Sequence, residues 1–306
     1  MYLGIDFLIS PEQNPYVIEV NVGLPGGAQE YHLAHLVHFG RPSDIFNRIE
    51  ETSHRVYGRP FRDYLSSSHI RSLKPFKIWM DEEGPFPKDF HPGLRLEDKW
   101  VQYQLLQAMV PMPETRAWPP QHTSEAEALF QEKKKWVFKR RLGRGGRGFR
   151  IIEDPSTLSG VAREGPPSLL QEFIASTVEG WTFSIRSVAF GGEFMCMYAN
   201  LANRSHSNHG DLAFISEGDV LGLSERAFQT RSFDQRSWEA GIWFGEADPP
   251  YLRHNLYEDV VAQTALLIPA SVLGVIRETS IKIERFYETL DLSRLPKACF
   301  EEGEAG

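Results

Sequence analysis

The chain has 306 residues, 41% of them hydrophobic, which is enough apolar material for one large domain or two smaller ones. Its formal net charge of −8 argues against general affinity for nucleic acid, and no apolar run approaches the roughly 18 residues a membrane span needs. The N-terminus lacks the basic start and small-residue cleavage site of a signal peptide, and Cys196 and Cys299 lie far apart without metal-binding spacing, so the expected setting is a reducing cytoplasm with free thiols.

In chain order, YLGIDFLI and YVIEVNV flank the turn SPEQNP and predict a β-hairpin closed by GLPGG. Residues 29–38 and 43–55 read as helices, the second capped by Ser43. Residues 58–94, rich in proline, glycine and aromatics, contain one convincing strand, PFKIWM, and read as a surface connector. Apolar side chains recur at helical spacing over 96–109, the turn PMPET follows, and TSEAEALFQEKKK predicts another helix capped by Thr123 or Ser124. SLLQEFI reads as a strand, and WTFSIRSVAFGGEFMCMYANLA as two strands joined at Gly191–Gly192. From Leu221 to about Leu290 the pattern is mostly helical, with Pro269 breaking a long apolar segment.

The stretch VFKRRLGRGGRGFRII, residues 137–152, holds six bases and four glycines and no acid. Gly143, Gly145 and Gly148 satisfy G-x-G-x-x-G, but a dinucleotide fingerprint needs a helix next and FRIIED reads as a strand. A Walker loop is excluded because no Gly-Lys-Ser/Thr ends the run. Apolar strands bracket the segment, unlike a disordered arginine–glycine RNA-binding tract. Two readings stay open: a glycine-tipped hairpin whose amides and arginines close over phosphates, or an ordinary solvated hairpin. The nine bases without an acid from Lys133 to Arg150, on a globally acidic chain, point to a compact anionic ligand.

Asp6, Glu19 and Asn21 form the most specific pattern. Residues two apart on a strand share a face, so Glu19 and Asn21 point the same way, and Asp6 on the partner strand can join them. Three oxygen donors of this kind suit magnesium bound together with a nucleotide's phosphates; exposed polar strand residues are the plain alternative.

With these residues in view, GIDFLISPEQNPYVIEVNVGLPGG resembles the metal-binding end of the ATP-grasp superfamily, in which an aspartate and a Glu-x-Asn pair hold the magnesium ions of ATP. EDKWVQYQLLQAMVPMPET is similar to its Asp-Lys helix and Pro-x-Pro-x-Thr turn, implying that Lys99 reaches the nucleotide's phosphates. WVFKRRLGRGGRGFRII resembles the phosphate-binding strand and glycine lid, with Lys139 as the second lysine and Arg144, Gly145, Gly146 and Gly148 in the lid. LLQEFI resembles the adenine-clipping strand, through the Gln171 side chain and the backbone of Glu172, Phe173 and Ile174. MYANLANRSHSNHGD resembles the strand whose arginine, here Arg204, faces the reacting phosphate.

The resemblance covers about residues 3–55 and 97–219 and implies an α+β ATP-grasp fold, two subdomains gripping ATP, plus a helical C-terminal region. Its expected parts are the metal hairpin and following helices (1–57), a connector (58–95), the lysine helix and glycine lid (96–165), the adenine clip and phosphate-facing strands (166–220), and the helical remainder (221–306). The order departs from the family, in which the metal strand comes last. Circular permutation is the expectation, with a chain that begins partway through a longer protein as the alternative. The acid that often meets the ribose is replaced by Thr182, with Glu179 as its substitute, and Gly4 stands where D-alanine-type ligases have an arginine.

The implied activity is ATP-dependent carboxylate–amine ligation through an acyl phosphate, with Lys99, Lys139 and Arg204 as the catalytic cations and Mg2+ or Mn2+ on Asp6, Glu19 and Asn21. The implied partners are ATP and a small-molecule or peptide carboxylate and amine, with neither nucleic acid nor membrane; oligomeric state stays open. Two alternatives remain: a small-molecule kinase and a non-catalytic nucleotide-binding subunit. His32, His35 and His38 read as helix surface or as zinc ligands. His206 and His209 read as a polar loop or, for His209, a substrate contact. Trp238 and Trp243 read as core.

Overall fold

The computed structural model describes residues 1–22, 25, 27–28, 31–32, 42–67, 70–73, 76, 91–118, 135–143, 149–153, 166–178, 181–202, 211–213, 230–231 and 268–302. Contacts divide the chain into two compact units. The first comprises Met1–Pro15, Asn21–Leu65 and Ala175–Thr289, and the second Tyr16–Val20, Ser66–Ile174 and Leu290–Gly306.

The first unit is built on an antiparallel sheet. Its strands are β1 (Leu3–Ile9), the short β7 (Thr177–Val178), β8 (Trp181–Phe190), β9 (Glu193–Ala202), β10 (Asp211–Ala213) and β11 (Thr230–Arg231), in the order β11-β10-β9-β8-β1, with β7 also on β8; β2 (Pro15–Val22) is divided, its ends in the first unit and Tyr16–Val20 in the second. The expected Gly-Gly hairpin is present: Gly191 and Gly192, at φ 60° and 77°, form the two-residue turn between β8 and β9. Positive φ at both centres matches the twist of the flanking strands, and glycine adopts it without a Cβ penalty.

Helix α1 (Ile45–Tyr57) packs on β9, where the Arg48 guanidinium donates to the carbonyls of Met195 and Phe194 at 2.9 and 3.1 Å. Its N-cap is Asp44 rather than the expected Ser43, whose hydroxyl instead pairs with His32 Nδ1 at 3.1 Å. Helix α2 (Phe61–Leu65) adds Phe61 and Tyr64 to an aromatic cluster with Tyr2, Tyr57 and Phe190.

The C-terminal helix of this unit, Ala270–Glu288, begins immediately after Pro269, where a missing N–H costs nothing. It lies against β8, β9 and β1 and buries Val272, Leu273, Ile276 and Ile283. Each such side chain contributes about 1.5–3 kcal/mol. At the centre of that contact the hydroxyls of Ser187 and Ser280 meet at 2.6 Å, and Ser280 donates back to the Ile276 carbonyl at 2.7 Å.

The second unit contains a four-stranded antiparallel sheet in the order β3-β6-β4-β5, formed by β3 (Thr115–Trp118), β4 (Trp136–Arg140), β5 (Arg150–Ile152) and β6 (Ser168–Glu172). Trp118, Trp136, Phe138, Ile152 and Leu170 form its core cluster. The basic stretch is therefore a hairpin, β4 against β5, with Trp136 opposite Ile152. Sequence periodicity predicts a helix over 96–109; the structure has a 3-10 helix, Pro92–Glu97, followed by an α-helix, Lys99–Leu106. Phe76, in the stretch read as the strand PFKIWM, is helical and fully buried; the rest of that stretch lies outside the described residues.

Antiparallel sheets with helices make this an α+β fold. No described helix is long and apolar enough to cross a membrane, and Cys196 and Cys299 are buried thiols not joined in a disulfide. The predicted helix over 123–135 also lies outside the described residues, apart from Lys135, which is not helical.

Candidate functional site

In the second unit Asp98 caps the Lys99–Leu106 helix, accepting from the Trp100 amide at 2.9 Å. The same carboxylate is fully buried and is gripped by the Arg141 guanidinium, Nη2 to Oδ2 at 2.8 Å and Nε to both oxygens at 3.1 Å. It also accepts from the Cys299 amide at 2.8 Å. A buried carboxylate persists as an anion only with this density of donors. Arg141, one of the nine bases of the glycine stretch, is thus committed to the root of the hairpin.

The cap fixes the next residue, Lys99, at the start of the helix. Its ammonium donates to the Gly143 carbonyl at 2.8 Å and forms an ion pair with Glu19 Oε1 at 3.2 Å, with 8% of the side chain exposed. One turn later Gln102 holds both backbone groups of Val20: its Oε1 accepts from the Val20 amide at 2.9 Å and its Nε2 donates to the Val20 carbonyl at 2.7 Å. Gln102 therefore sets the backbone beside Glu19. Sequence reading passed over it; the available signal was its i+3 spacing from Lys99, which puts both on one helix face.

Lys139, on β4, donates to the Ile18 carbonyl at 3.3 Å and to Gln171 Oε1 at 2.8 Å. The other end of the Gln171 amide donates to the Thr115 hydroxyl at 3.0 Å, which donates in turn to the Pro113 carbonyl at 2.9 Å. Two ammonium groups from different elements thus end on consecutive residues of β2, Ile18 and Glu19. The amides of Glu172 and Phe173 donate to the carbonyls of Glu114 and Lys135 at 2.7 and 2.9 Å.

In the first unit Asp6 pairs directly across the sheet with Arg186 of β8. Arg186 forks onto the carboxylate, Nε to Oδ1 and Nη2 to Oδ2, the latter at 2.7 Å, while Asn21 Nδ2 donates to Oδ2 at 3.2 Å. Sequence reading missed Arg186, because register between β1 and β8 is a long-range property.

Arg144, Gly145, Gly146, Gly148, Glu179, Arg204, His35, His38, His206, His209, Trp238 and Trp243 lie outside the described residues, as does the Thr182 side chain.

Residues 96–226 match the family model of the ATP-grasp domain. The chain carries an ATP-grasp domain. The match takes in Lys99, Lys139 and Gln171–Ile174; β1 and β2, with Asp6, Glu19 and Asn21, precede it. No curated protein matches the chain significantly. The ATP-grasp superfamily uses ATP in ligase- and kinase-type chemistry, so ATP is the partner the domain implies. Among the described residues no three His, Cys, Asp or Glu cluster as metal ligands. The donors of the β1–β2 pattern are nevertheless hard oxygens. Asp6 and Asn21 are within hydrogen-bonding distance, and their side-chain oxygens are of a kind that fits magnesium.

Proposed function

We propose that the protein is an ATP-dependent carboxylate–amine ligase that works through an acyl phosphate. The observation that carries this reading is the convergence of Lys99 and Lys139 on Glu19 and Ile18 of β2. Two buried or half-buried ammonium groups beside a carboxylate make a site for polyphosphate, in which the lysines take phosphate oxygens and the carboxylate serves a hard cation.

A carboxylate is a poor acyl donor because its leaving group would be oxide. Transfer of the γ-phosphoryl group to a carboxylate oxygen, with release of ADP, converts that oxygen into phosphate. The amine nitrogen then attacks the acyl carbon, the carbon–oxygen bond to phosphate breaks, and the amine loses a proton. In this scheme Lys99 and Lys139 hold the phosphate oxygens in line and offset the charge that moves to ADP, and Arg204 faces the group in transfer. Asp6, Glu19 and Asn21 are the residues that would hold magnesium, which when bound neutralises phosphate charge. The glycine stretch 143–148 closes over the phosphates and excludes water, which would otherwise hydrolyse the intermediate. Adenine lies along Gln171–Ile174, with Glu179 toward the ribose.

The order of the parts is read as a circular permutation; its support is that β1 is hydrogen-bonded to β8, so the N-terminal strand shares a sheet with the strands that follow the adenine segment.

The test is ADP release from MgATP with panels of carboxylic acids and amines, with hydroxylamine added to trap an acyl phosphate as hydroxamate. The expected result is acid-dependent ADP release and hydroxamate formation, both lost in Glu19→Ala. ADP release coupled to a phosphate ester and no hydroxamate would instead identify a kinase. ATP-dependent thermal stabilisation without turnover would identify a non-catalytic nucleotide-binding subunit.

A further inference from the structure

The Asp6–Arg186 pair goes beyond the reading above, and rests on it for the identity of Asp6 as a metal ligand. Arg186 stands opposite Asp6 in the β1–β8 register, so the two side chains share one face of the sheet and the guanidinium forks onto the carboxylate beside it. Room for the arginine stem is built into the backbone. A Cβ on Gly4, two residues before Asp6, would lie 3.3 Å from Arg186 Cδ and Nη1 and 2.5 Å from Pro25 Cβ. A Cβ on Gly27 would lie 2.6 Å from Val188 Cγ2 and 3.6 Å from Arg186 Cγ. Glycine at both places leaves a channel that the arginine stem fills. The pair is shielded without being sealed, with 18% of the Arg186 side chain and 12% of the Asp6 side chain exposed. Asn21 adds a third donor to the same carboxylate.

A divalent cation and a forked guanidinium cannot both take the two oxygens of one carboxylate. We propose that Arg186 is an internal counter-ion of Asp6 that competes with the divalent metal, and that a nucleotide's polyphosphate relieves the competition by drawing the guanidinium to itself. Metal and nucleotide then bind with mutual dependence: the metal alone binds weakly, and the anionic ligand strengthens it by giving Arg186 another partner. Thermodynamic reciprocity requires the converse as well.

The test is Mn2+ binding to the full chain, followed by electron paramagnetic resonance of free Mn2+, with and without a non-hydrolysable ATP analogue. Wild type is expected to bind Mn2+ more tightly when the analogue is present. Arg186→Gln is expected to bind Mn2+ alone about tenfold more tightly than wild type, the scale one lost charge-assisted bond allows, and to lose most of the strengthening by nucleotide. Equal or weaker Mn2+ binding by Arg186→Gln overturns the competition and leaves Arg186 as a residue that only orients Asp6. If Arg186→Gln does not fold, Arg186→Lys carries the test: it keeps the charge, loses the fork, and is expected to bind Mn2+ alone more tightly than wild type, with no tightening counting against the proposal. Asp6→Asn separates the two levels. Unchanged Mn2+ binding in that variant removes Asp6 from the metal site and overturns the metal assignment, whereas weakened binding there with no effect of Arg186 substitution overturns the counter-ion alone.

Discussion

Asp98 shows how one side chain can serve a site it does not enter. It caps the helix whose first residue is Lys99, holds Arg141 at the root of the β4–β5 hairpin, and takes the Cys299 amide, all while fully buried. Asp98→Ala would leave a buried guanidinium without its counter-ion, and breaking such a pair costs about 3–5 kcal/mol. Urea unfolding of this variant should show a loss on that scale. Gln102→Ala is expected to act differently. It removes both partners of the Val20 backbone, costing about 1–3 kcal/mol in stability, and it also frees the strand next to Glu19, so the KM for MgATP should rise more than kcat falls. Lys99 was legible through the resemblance of its Asp-Lys segment to the ATP-grasp helix, a pattern of adjacent residues; that Asp98 caps the helix came from the structure. Arg141 was not, since the basic run contains no acid and its partner stands 43 residues upstream. Arg186 was hidden for the same reason, its partner lying 180 residues away.

Elements were legible where chemistry is short-range. Gly191–Gly192 announced the β8–β9 turn, and Pro269 the start of the long C-terminal helix. Boundaries set by tertiary contact were not: Ser43 gives its hydroxyl to His32, so α1 opens at Asp44, and the helix read from 96 begins at Lys99 because Pro92–Glu97 forms a 3-10 turn. The short C-terminal helix Cys299–Glu302 is tied down by Arg95, whose guanidinium forks onto Glu301 at 2.8 and 2.7 Å. Burial alone would raise the Glu301 pKa, but the bonds from Arg95 and from the Ala298 amide outweigh it, and the carboxyl titrates below its ordinary range. A depressed folded pKa means that the contribution to stability is present above the unfolded value and is lost as pH falls through the folded one. Thermal melts between about pH 7 and pH 3 should therefore show wild type losing more stability than Glu301→Gln across the acid limb, with the variant less stable at pH 7. Parallel curves would mean that the Arg95 contact contributes nothing.

For the molecule as a whole, composition gave only an expectation against general nucleic-acid affinity, while the ATP-grasp resemblance supplied the fold and the domain match agrees with it. The sequence placed Asp6, Glu19 and Asn21 on one pattern. It did not show that the two lysines would meet β2 at Ile18 and Glu19, since that convergence depends on Gln102 fastening β2 to the lysine helix. The central claim is that this convergence is an ATP site, and calorimetric titration of MgATP into wild type, Lys99→Ala and Lys139→Ala tests it most directly. Wild type should bind, and each variant should lose about tenfold or more in affinity while melting as a folded protein. Equal affinity in all three would contradict the account.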